Sequence, residues 1–396
     1  MKSTVNQTHV RSINQRVILD SIFRVDHISR ASLSRLLNLS KVAIAENLSY
    51  LLDLGIVQEV GTGESQVKGG RRPILLQFNK DYKYIVAIDL EDEDAVFSLA
   101  NLAGEIQNKF TIQVSSSSSY SVRLELVENA ISVLLTSSNL QPKDIAVIAI
   151  SSPGIVHLYE DNYQANEQFQ NWQMIELMHE IEACFAAHVM IANDVNAAAI
   201  GEFHYGAGIT SHSLLYISCG LGVGAGIILD HKLHEGESKS AGEIANFITG
   251  AHTDYPVSLE KKINIEALLK RILHEAPENT LTALGHPNPF TFHDVVDLWQ
   301  GGDEFINDCV GDIARNLGVA ISNIISLLNV DLIVLGGQYR AFSKRILPLI
   351  NRIVENSAFS PVPVVSSQLK GDASIYGLLT LARNKVFQEI CDQNIK

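Results

Sequence analysis

Near the start of the chain, apolar residues recur every three or four positions. Val10, Ile13, Val17 and Ile18, extended by Leu19 and Ile22, predict one amphipathic helix. Ser29 is a capping residue for a second short helix over 30–37, and Asn38-Leu39-Ser40 breaks the pattern and supplies a new capping serine. A third helix runs from Lys41 to about Leu54, with Ile44, Leu48, Leu51 and Leu52 on one face and Gly55 as its natural stop. Ile56 to Val60 alternates as a strand does, Gly61 to Gly70 is a glycine-rich turn, and 74–78 can be the return strand. Two short helices joined by a few residues, with a hairpin behind them, form a winged helix-turn-helix. A plain three-helix structural domain with a hairpin is the alternative.

Beyond residue 80 the pattern changes to buried strands alternating with helices. Strands are expected at 84–89, 95–100, 105–114 and 145–150, with a helix over 120–135. A strand over 189–192 ends in Asn193-Asp194, and Asp194 opens a helix over 195–202, where it can act as the N-cap. The pattern then repeats: a strand at 214–218, a glycine-dense stretch at 219–226, a strand at 227–230, a long helix over about 302–328, and a strand at 332–335 followed by Gly336-Gly337. Two halves of this kind give an α/β architecture with a cleft between two lobes. The expected domains are 1–80, 81–200 and 201–396, with the C-terminal helix returning to the first lobe.

Composition narrows the class. The chain has 396 residues, of which 46% are hydrophobic, enough for two or three globular domains and too apolar for a disordered chain. No run of 18 apolar residues appears, and Lys2, Arg11, Arg16 and Asp20 interrupt the first twenty residues, so neither a membrane span nor a secretory leader is expected. Cys184, Cys219, Cys309 and Cys391 lie far apart with no Cys-x-x-Cys pair, which points to a reducing cytoplasm. The formal net charge of −14 argues against nucleic-acid binding until it is divided by region. Residues 1–80 hold eleven Lys/Arg against six Asp/Glu, a net +5, so the remaining residues carry −19. A basic module is attached to an acidic body.

Within the basic module, inward-facing Ile44, Leu48 and Leu51 would turn Val42, Glu46 and Ser49 outward, with Lys41 and Ala45 on the flanks. Small residues let a helix approach base edges in the major groove, Ser40 and Lys41 at its start suit phosphate, and Glu46 can accept from cytosine N4. Arg35 on the preceding helix joins this set. Lys68-Gly69-Gly70-Arg71-Arg72-Pro73 follows the wing, and such an arm can lay guanidinium groups in a narrow A·T-rich minor groove. A solvated basic linker is the alternative.

Several motifs are shared with one known group of proteins. They are Asn14-Gln15-Arg16, Gly69-Gly70-Arg71-Arg72-Pro73, Pro153-Gly154-Ile155-Val156, Asn193-Asp194-Val195-Asn196-Ala197-Ala198-Ala199, Ala241-Gly242-Glu243-Ile244, Leu259-Glu260 and Leu335-Gly336-Gly337. Across almost its whole length the chain resembles the ROK family (repressor, open reading frame, kinase), in its sugar-responsive winged-helix branch. The resemblance implies an actin-like, sugar-kinase-type fold behind the DNA-binding head. It also implies a sugar site in the cleft formed by Gly154, Asn193, Asp194, Glu243, Asn246 and Glu260. Carboxylates and an amide suit vicinal hydroxyls, which both donate and accept. For Glu243 and Glu260 a solvated surface carboxylate is the alternative.

Three departures from the family pattern shape the expected function. Kinases of the family carry Asp-x-Gly-Gly-Thr after their first strand, where backbone N–H groups cradle ATP phosphates. Here the stretch is Asp89-Leu90-Glu91-Asp92-Glu93-Asp94. Its glycines are gone, and like charges near 4 Å repel by about 1 kcal/mol per pair even in bulk water. The second glycine loop reads Gly220-Leu221-Gly222 in place of Gly-Thr-Gly, so neither ATP nor kinase activity is expected. The family's zinc-binding histidine is Asn246 and its cysteine cluster is absent, with only His252 and Asp254 nearby, so no metal is expected. Asn246 also replaces a histidine that contacts sugar in the family, and Lys239 stands where glycine is common, which leaves the sugar open.

The resulting expectation is a cytoplasmic repressor that binds operator DNA as a homo-oligomer, a dimer or a tetramer, and answers to a small carbohydrate, with xylose first. A dimer would read half-sites roughly 34–36 Å apart or a multiple of that. Two rivals are an ATP-dependent sugar kinase with an added head and a repressor that answers to a protein partner instead.

Overall fold

The computed structural model describes residues 7–63, 72–90, 94–115, 118–154, 173–249, 256–285 and 287–393. The chain divides into two compact units: Met1–Ile150 with Gln170–Ile191 and Leu379–Lys396, and Ser151–Phe169 with Ala192–Leu378.

The first unit opens with helix α1 (Gln7–Arg24), strand β1 (Ile28–Ser29), helices α2 (Arg30–Leu37) and α3 (Lys41–Leu54), and strands β2 (Val57–Thr62) and β3 (Ile74–Phe78). Each helix boundary has a local cause. The Ser29 side chain accepts from Ser32 N–H, Ser40 accepts from Ala43 N–H at 3.1 Å, and Gly55 ends α3 in the left-handed region at φ +80. Ile18, Leu19, Ile22, Leu33, Ile44, Leu48, Leu51, Ile56 and Leu76 form the buried core of this head. The sheet runs β1-β3-β2, and Gly63 N–H donates to Pro73 O at 2.8 Å to close the base of the wing. Two details differ from the expected pattern. Val10, Ile13 and Val17 are exposed, and the inward face of α1 is the row of Gln15, Ile18, Leu19 and Ile22. The two-residue strand β1 has no alternating signal long enough to read.

The body of the first unit is a five-stranded sheet in the order β6-β5-β4-β7-β8. Its strands are β4 (Tyr84–Leu90), β5 (Asp94–Asn101), β6 (Ile106–Gln113), β7 (Ile145–Ser152) and β8 (His188–Asn193), with helices α4 (Tyr120–Ser137) and α5 (Met174–Phe185) between them. Central β4 is buried from Ile85 onward, whereas edge strand β6 alternates between half-buried and exposed positions, as an edge strand with one solvated face should.

In the second unit, helix α6 (Asp194–Tyr205) precedes strands β9 (Leu214–Cys219), β10 (Val223–Leu229) and β11 (Lys232–Leu233). Helices α7 (Glu260–Ile263), α8 (Ile265–Glu275), α9 (Glu278–Ala283), α10 (Phe292–Gln300) and α11 (Glu304–Leu328) follow, then β12 (Leu332–Gly336), α12 (Ser343–Ser357), β13 (Val364–Ser366) and α13 (Ala373–Gln393). The sheet order is β11-β10-β9-β12-β13, the same path as in the first unit: three antiparallel strands, then two added on the other side, here parallel. The glycine-dense stretch proves to be strand from Val223, so β10 starts earlier than its apolar residues suggest, and Asp230 lies in the following turn at φ +48. Glycines permit this because α6 lies against β10. An added Cβ on Gly226 would fall 2.5 Å from Ala199 Cβ and 2.8 Å from Val195 O. The core is the buried face of α11, from Ile306 to Ile325, packed on β9, β12, α12 and the Tyr339–Phe342 pair.

Helix α13 begins in the second unit and ends in the first. Its first turns lie against α6: added Cβ atoms on Gly377 and Gly201 would meet Ala197 O at 1.7 Å and Ala373 O at 2.0 Å. The fully buried Glu202 fastens the same region, accepting from Ser367 Oγ at 2.6 Å, Leu369 N–H at 2.9 Å and Ala207 N–H at 2.8 Å. The later turns of α13 hold the head. Phe387 packs edge-on against Phe23 and Phe78, and Arg383 lies 4.4 Å over the Phe23 ring. Arg16 donates to Asn384 O at 2.7 Å, Tyr50 Oη to Ile390 O at 2.9 Å, and Ser12 Oγ to Asp392 Oδ1 at 2.9 Å.

Candidate functional site

The head presents an exposed face on α3. Ser40, Lys41, Ala45, Glu46 and Ser49 are all exposed, while Ile44, Asn47, Leu48 and Leu51 are buried on the opposite side of α3. Arg35 near the end of α2 is exposed as well. Ser40 spends its side-chain oxygen on capping α3, so its hydroxyl hydrogen remains the group for an incoming oxygen. Two apolar side chains stand among these polar ones: Val42 is 66% exposed and Leu36 is 60% exposed. Exposed apolar side chains of this kind are chemically suited to a methyl group such as that of thymine. The helical periodicity already turns Val42 outward, whereas Leu36 has no signal beyond its place next to Arg35. Of the arm, Arg72 is exposed just before β3, and Lys68, Gly69, Gly70 and Arg71 lie outside the described residues.

A second set of residues lies in the other unit, built on the middle of β10. Asn193 is the N-cap of α6. Its Oδ1 accepts from Asn196 N–H at 2.9 Å, and its Nδ2 donates to Gly154 O at 3.0 Å. The cap is therefore Asn193 and not Asp194, which occupies the first helical position. Asn193 uses both ends of its amide as a brace, fixing the Gly154 turn (φ +99) beside the start of the helix. Asp194 then lies in the first turn, where the helix dipole favours negative charge. Asp194 lies close enough to the buried Tyr216 phenol to help raise its pKa, behind burial and Glu202.

On the other side of the same strand, Gly242 donates its backbone to the site. Its φ is +95, and an added Cβ would lie 1.8 Å from Ala225 O, so only glycine fits. Ala225 N–H donates to Gly242 O at 2.9 Å, and this pairing presents Glu243 and a 3-10 turn over Ile244–Asn246. Gly224, one residue away on β10, would meet Val195 Cγ2 at 3.3 Å if it carried a Cβ. Three residues of β10 thus carry both the start of α6 and the Glu243 turn. Leu259 N–H donates to Phe247 O at 2.7 Å, which brings Glu260 alongside. Glu260 Oε1 lies 4.0 Å from the Cβ position of Gly222.

Glu243 reaches the surface, yet its carboxyl titrates above the ordinary glutamate value, first because the surrounding protein strips it of water and second because Glu260 is close. Two carboxylates held together in this way want hydrogen-bond donors. Asn246 is exposed at the end of the same turn and offers both a donor and an acceptor. Lys239 sits at φ +53, in the region that favours glycine, which gives a backbone reason for glycine at that position. The structure thus groups Gly154, Asn193 and Asp194 around the start of α6, and separately Glu243, Asn246 and Glu260 around the turn paired with β10, all in one unit. His252 and Asp254 lie outside the described residues, as do Glu91, Asp92 and Glu93. Among the described residues no group of three or more His, Cys, Asp or Glu side chains could hold a metal ion. No helix among them is long and apolar enough to cross a membrane.

Comparison with known proteins adds four findings. The model of the ROK family matches residues 85–385. A xylose repressor from Caldicellulosiruptor bescii is 27% identical over 95% of this chain and 96% of its own length. Among solved structures, a ROK family transcriptional regulator described as a homologue of the E. coli MLC protein superposes with a TM-score of 0.78 at 22% identity, covering 98% of this chain and 99% of its own. A ROK family glucokinase from Streptomyces griseus, in complex with glucose and AMPPNP, superposes with a TM-score of 0.62 at 21% identity over 76% of this chain and 99% of its own. The regulator is thus matched along nearly the full chain, the kinase without about a quarter of it.

Proposed function

This chain belongs to the ROK family, and we propose that it is a DNA-binding transcriptional repressor whose operator affinity is controlled by a small carbohydrate, with xylose the first candidate. The observation that carries the DNA reading is the exposed face of α3, where Lys41, Ala45, Glu46 and Ser49 stand out from a capped helix whose other face is core. Arg35, Ser40 and Arg72 supply phosphate contacts around it, with the Lys68–Arg71 arm. The same head carries the net positive charge, and the −19 body keeps contact confined to it.

The carbohydrate is held by Asp194, Glu243 and Glu260 as acceptors for its hydroxyls, with Asn246 at the rim and Asn193 and Gly154 as the frame. Carboxylate acceptors make charge-assisted hydrogen bonds to hydroxyl donors, the strong class of such bonds. Sugar binding acts by favouring one of two conformations. Asp194 is the first residue of α6, and α6 is seated against the start of α13 through Gly201, Gly377 and Glu202. The far end of α13 grips the head through Phe387, Arg383 and Asn384. Helix α13 thus contributes its first turns to the unit that holds Asp194 and its later turns to the unit that holds the head. Coupling is reciprocal, so a sugar that weakens DNA binding is itself bound more weakly on DNA by the same factor. The repressor acts as a homo-oligomer, a dimer or a tetramer, whose paired heads read two half-sites.

Selection of bound sequences from a random DNA pool tests the first half of this reading. The protein should enrich a two-fold symmetric site with A·T-rich flanks, and its affinity should fall steeply with salt. Failure to enrich any sequence would remove the repressor reading. A kinase with a fused head is the second reading, favoured by the shared fold with the glucokinase. ADP release with ATP and a panel of hexoses and pentoses decides it, and no turnover above background is the expected result.

A further inference from the structure

The turn between β9 and β10, Cys219-Gly220-Leu221-Gly222, is a short glycine loop of the kind whose exposed backbone amides favour an anion. Here those amides are already engaged. Gly220 N–H donates to Gly222 O at 3.0 Å, and Leu221 N–H donates to Oε1 of Gln338 at 3.0 Å. Gln338 directly follows Gly337, whose φ of +71 and lack of a Cβ let its backbone lie on Cys219, where an added Cβ would be 2.4 Å from the Cys219 oxygen. That seating delivers the Gln338 side chain over Gly220, whose own missing Cβ makes the room. A Cβ there would fall 2.4 Å from Gln338 Oε1. The loop's other contacts lead to the carbohydrate residues. Gly220 O accepts from Ile265 N–H at 2.9 Å at the start of α8, and Gly222 faces Glu260.

We propose that Gln338 is a positioning residue for the carbohydrate site, its side-chain oxygen filling the acceptor place on the Gly220–Gly222 loop and so fixing the wall beside Glu260 with no bound anion. A neutral acceptor is what this place calls for. Glu243 and Glu260 already repel one another, and a phosphate at Leu221 would add to that repulsion. Gln338 holds the loop without adding charge, which makes carbohydrate binding independent of nucleotide. The inference rests on the carbohydrate reading given above.

The test uses the full-length protein, titrated with D-xylose and the other pentoses and hexoses by calorimetry, together with hydrogen exchange of the segment that contains Leu221. In Gln338→Ala the Leu221 amide should exchange faster and sugar affinity should fall about threefold to tenfold, the range for one lost hydrogen bond. Gln338→Glu keeps an acceptor at the same length and should restore the slow exchange. Gln338→Met fills the same space without a strong acceptor and should not. Gly220→Ala should push the Gln338 side chain away and behave as Gln338→Ala does. Added ATP with magnesium should leave the wild-type sugar affinity unchanged. Wild-type exchange and sugar affinity in Gln338→Ala, or restoration by methionine as fully as by glutamate, would overturn the role of Gln338 alone. A wild-type protein that binds no sugar would remove the carbohydrate reading and this inference together.

Discussion

At the scale of single residues, the clearest consequence concerns Glu243. Its pKa is raised above the ordinary 4.5, by burial and then by Glu260. The ionised form is thus penalised in the free protein, and the penalty is relieved as pH falls through the raised value. A sugar whose hydroxyls donate to the carboxylate needs the ionised form, so sugar affinity should weaken as the pH falls, beginning above 4.5. Glu243→Gln should bind more weakly at neutral pH and lose that pH dependence, as calorimetric titrations across the acid range would show. On the head, Ser40 has two separable duties. Ser40→Ala removes the cap from α3 and should cost about 1 kcal/mol of stability by thermal or urea unfolding. Ser40→Asp caps as well as serine does, so it should keep stability yet weaken DNA binding by repelling phosphate. A Ser40→Asp protein that binds DNA as the wild type does would remove Ser40 from the phosphate contacts. Replacing Arg71 and Arg72 together with alanine should weaken binding and shallow the salt dependence by up to about two phosphate equivalents.

Residues of this kind were unevenly legible in the sequence. The caps at Ser29 and Ser40 and the stop at Gly55 could be read directly, because capping is a local chemistry of three or four residues. Asn193 and Asp194 are both good capping residues side by side, and only the hydrogen bond to Asn196 N–H assigns the cap to Asn193. Glu243 and Glu260 stood out through motif resemblance, whereas their mutual effect depends on a fold that brings the Phe247 and Leu259 backbones together. Gln338 had no signal at all, since its partner Leu221 lies 117 residues earlier in the chain.

At the scale of elements, α6 and α13 matter most. Both are packed through glycines whose missing side chains let one backbone approach another. Gly377→Ala would place a methyl group 1.7 Å from Ala197 O, and neither helix backbone can yield cheaply. The variant should lose about 1–3 kcal/mol, seen as a lower urea midpoint. An unchanged midpoint would show that α6 and α13 are not held together there. The helices and strands themselves followed the hydrophobic pattern closely where one face is core and the other is water. The pattern misled where that rule lapses. Strand β10 hides behind Gly224 and Gly226 because α6 replaces their side chains. The inward face of α1 includes Gln15, fully buried, while Val10, Ile13 and Val17 remain exposed. Three of the four cysteines are buried, and burial raises the thiol pKa of Cys219 and Cys391 to about 12 and of Cys309 to about 11, which suits packing and not reactivity.

For the molecule as a whole, the division of charge and the division of labour coincide. The +5 head is the part proposed to meet DNA, and the acidic remainder carries the carboxylates proposed to hold carbohydrate. The two sites lie in different units, and α13 is common to both. The proposed function makes a strong demand of this division: the head's affinity for its operator should depend on the occupancy of a site it does not contain. The most direct measurement is operator affinity by fluorescence anisotropy, with and without xylose and a panel of related sugars, for the wild type and for Asp194→Ala. At least one sugar should change the wild-type affinity by fivefold or more, within the usual range of allosteric coupling. Asp194→Ala should bind the operator as the wild type does and show no sugar response. An Asp194→Ala protein that still responds normally, or a wild type whose operator affinity no sugar alters, would contradict the account.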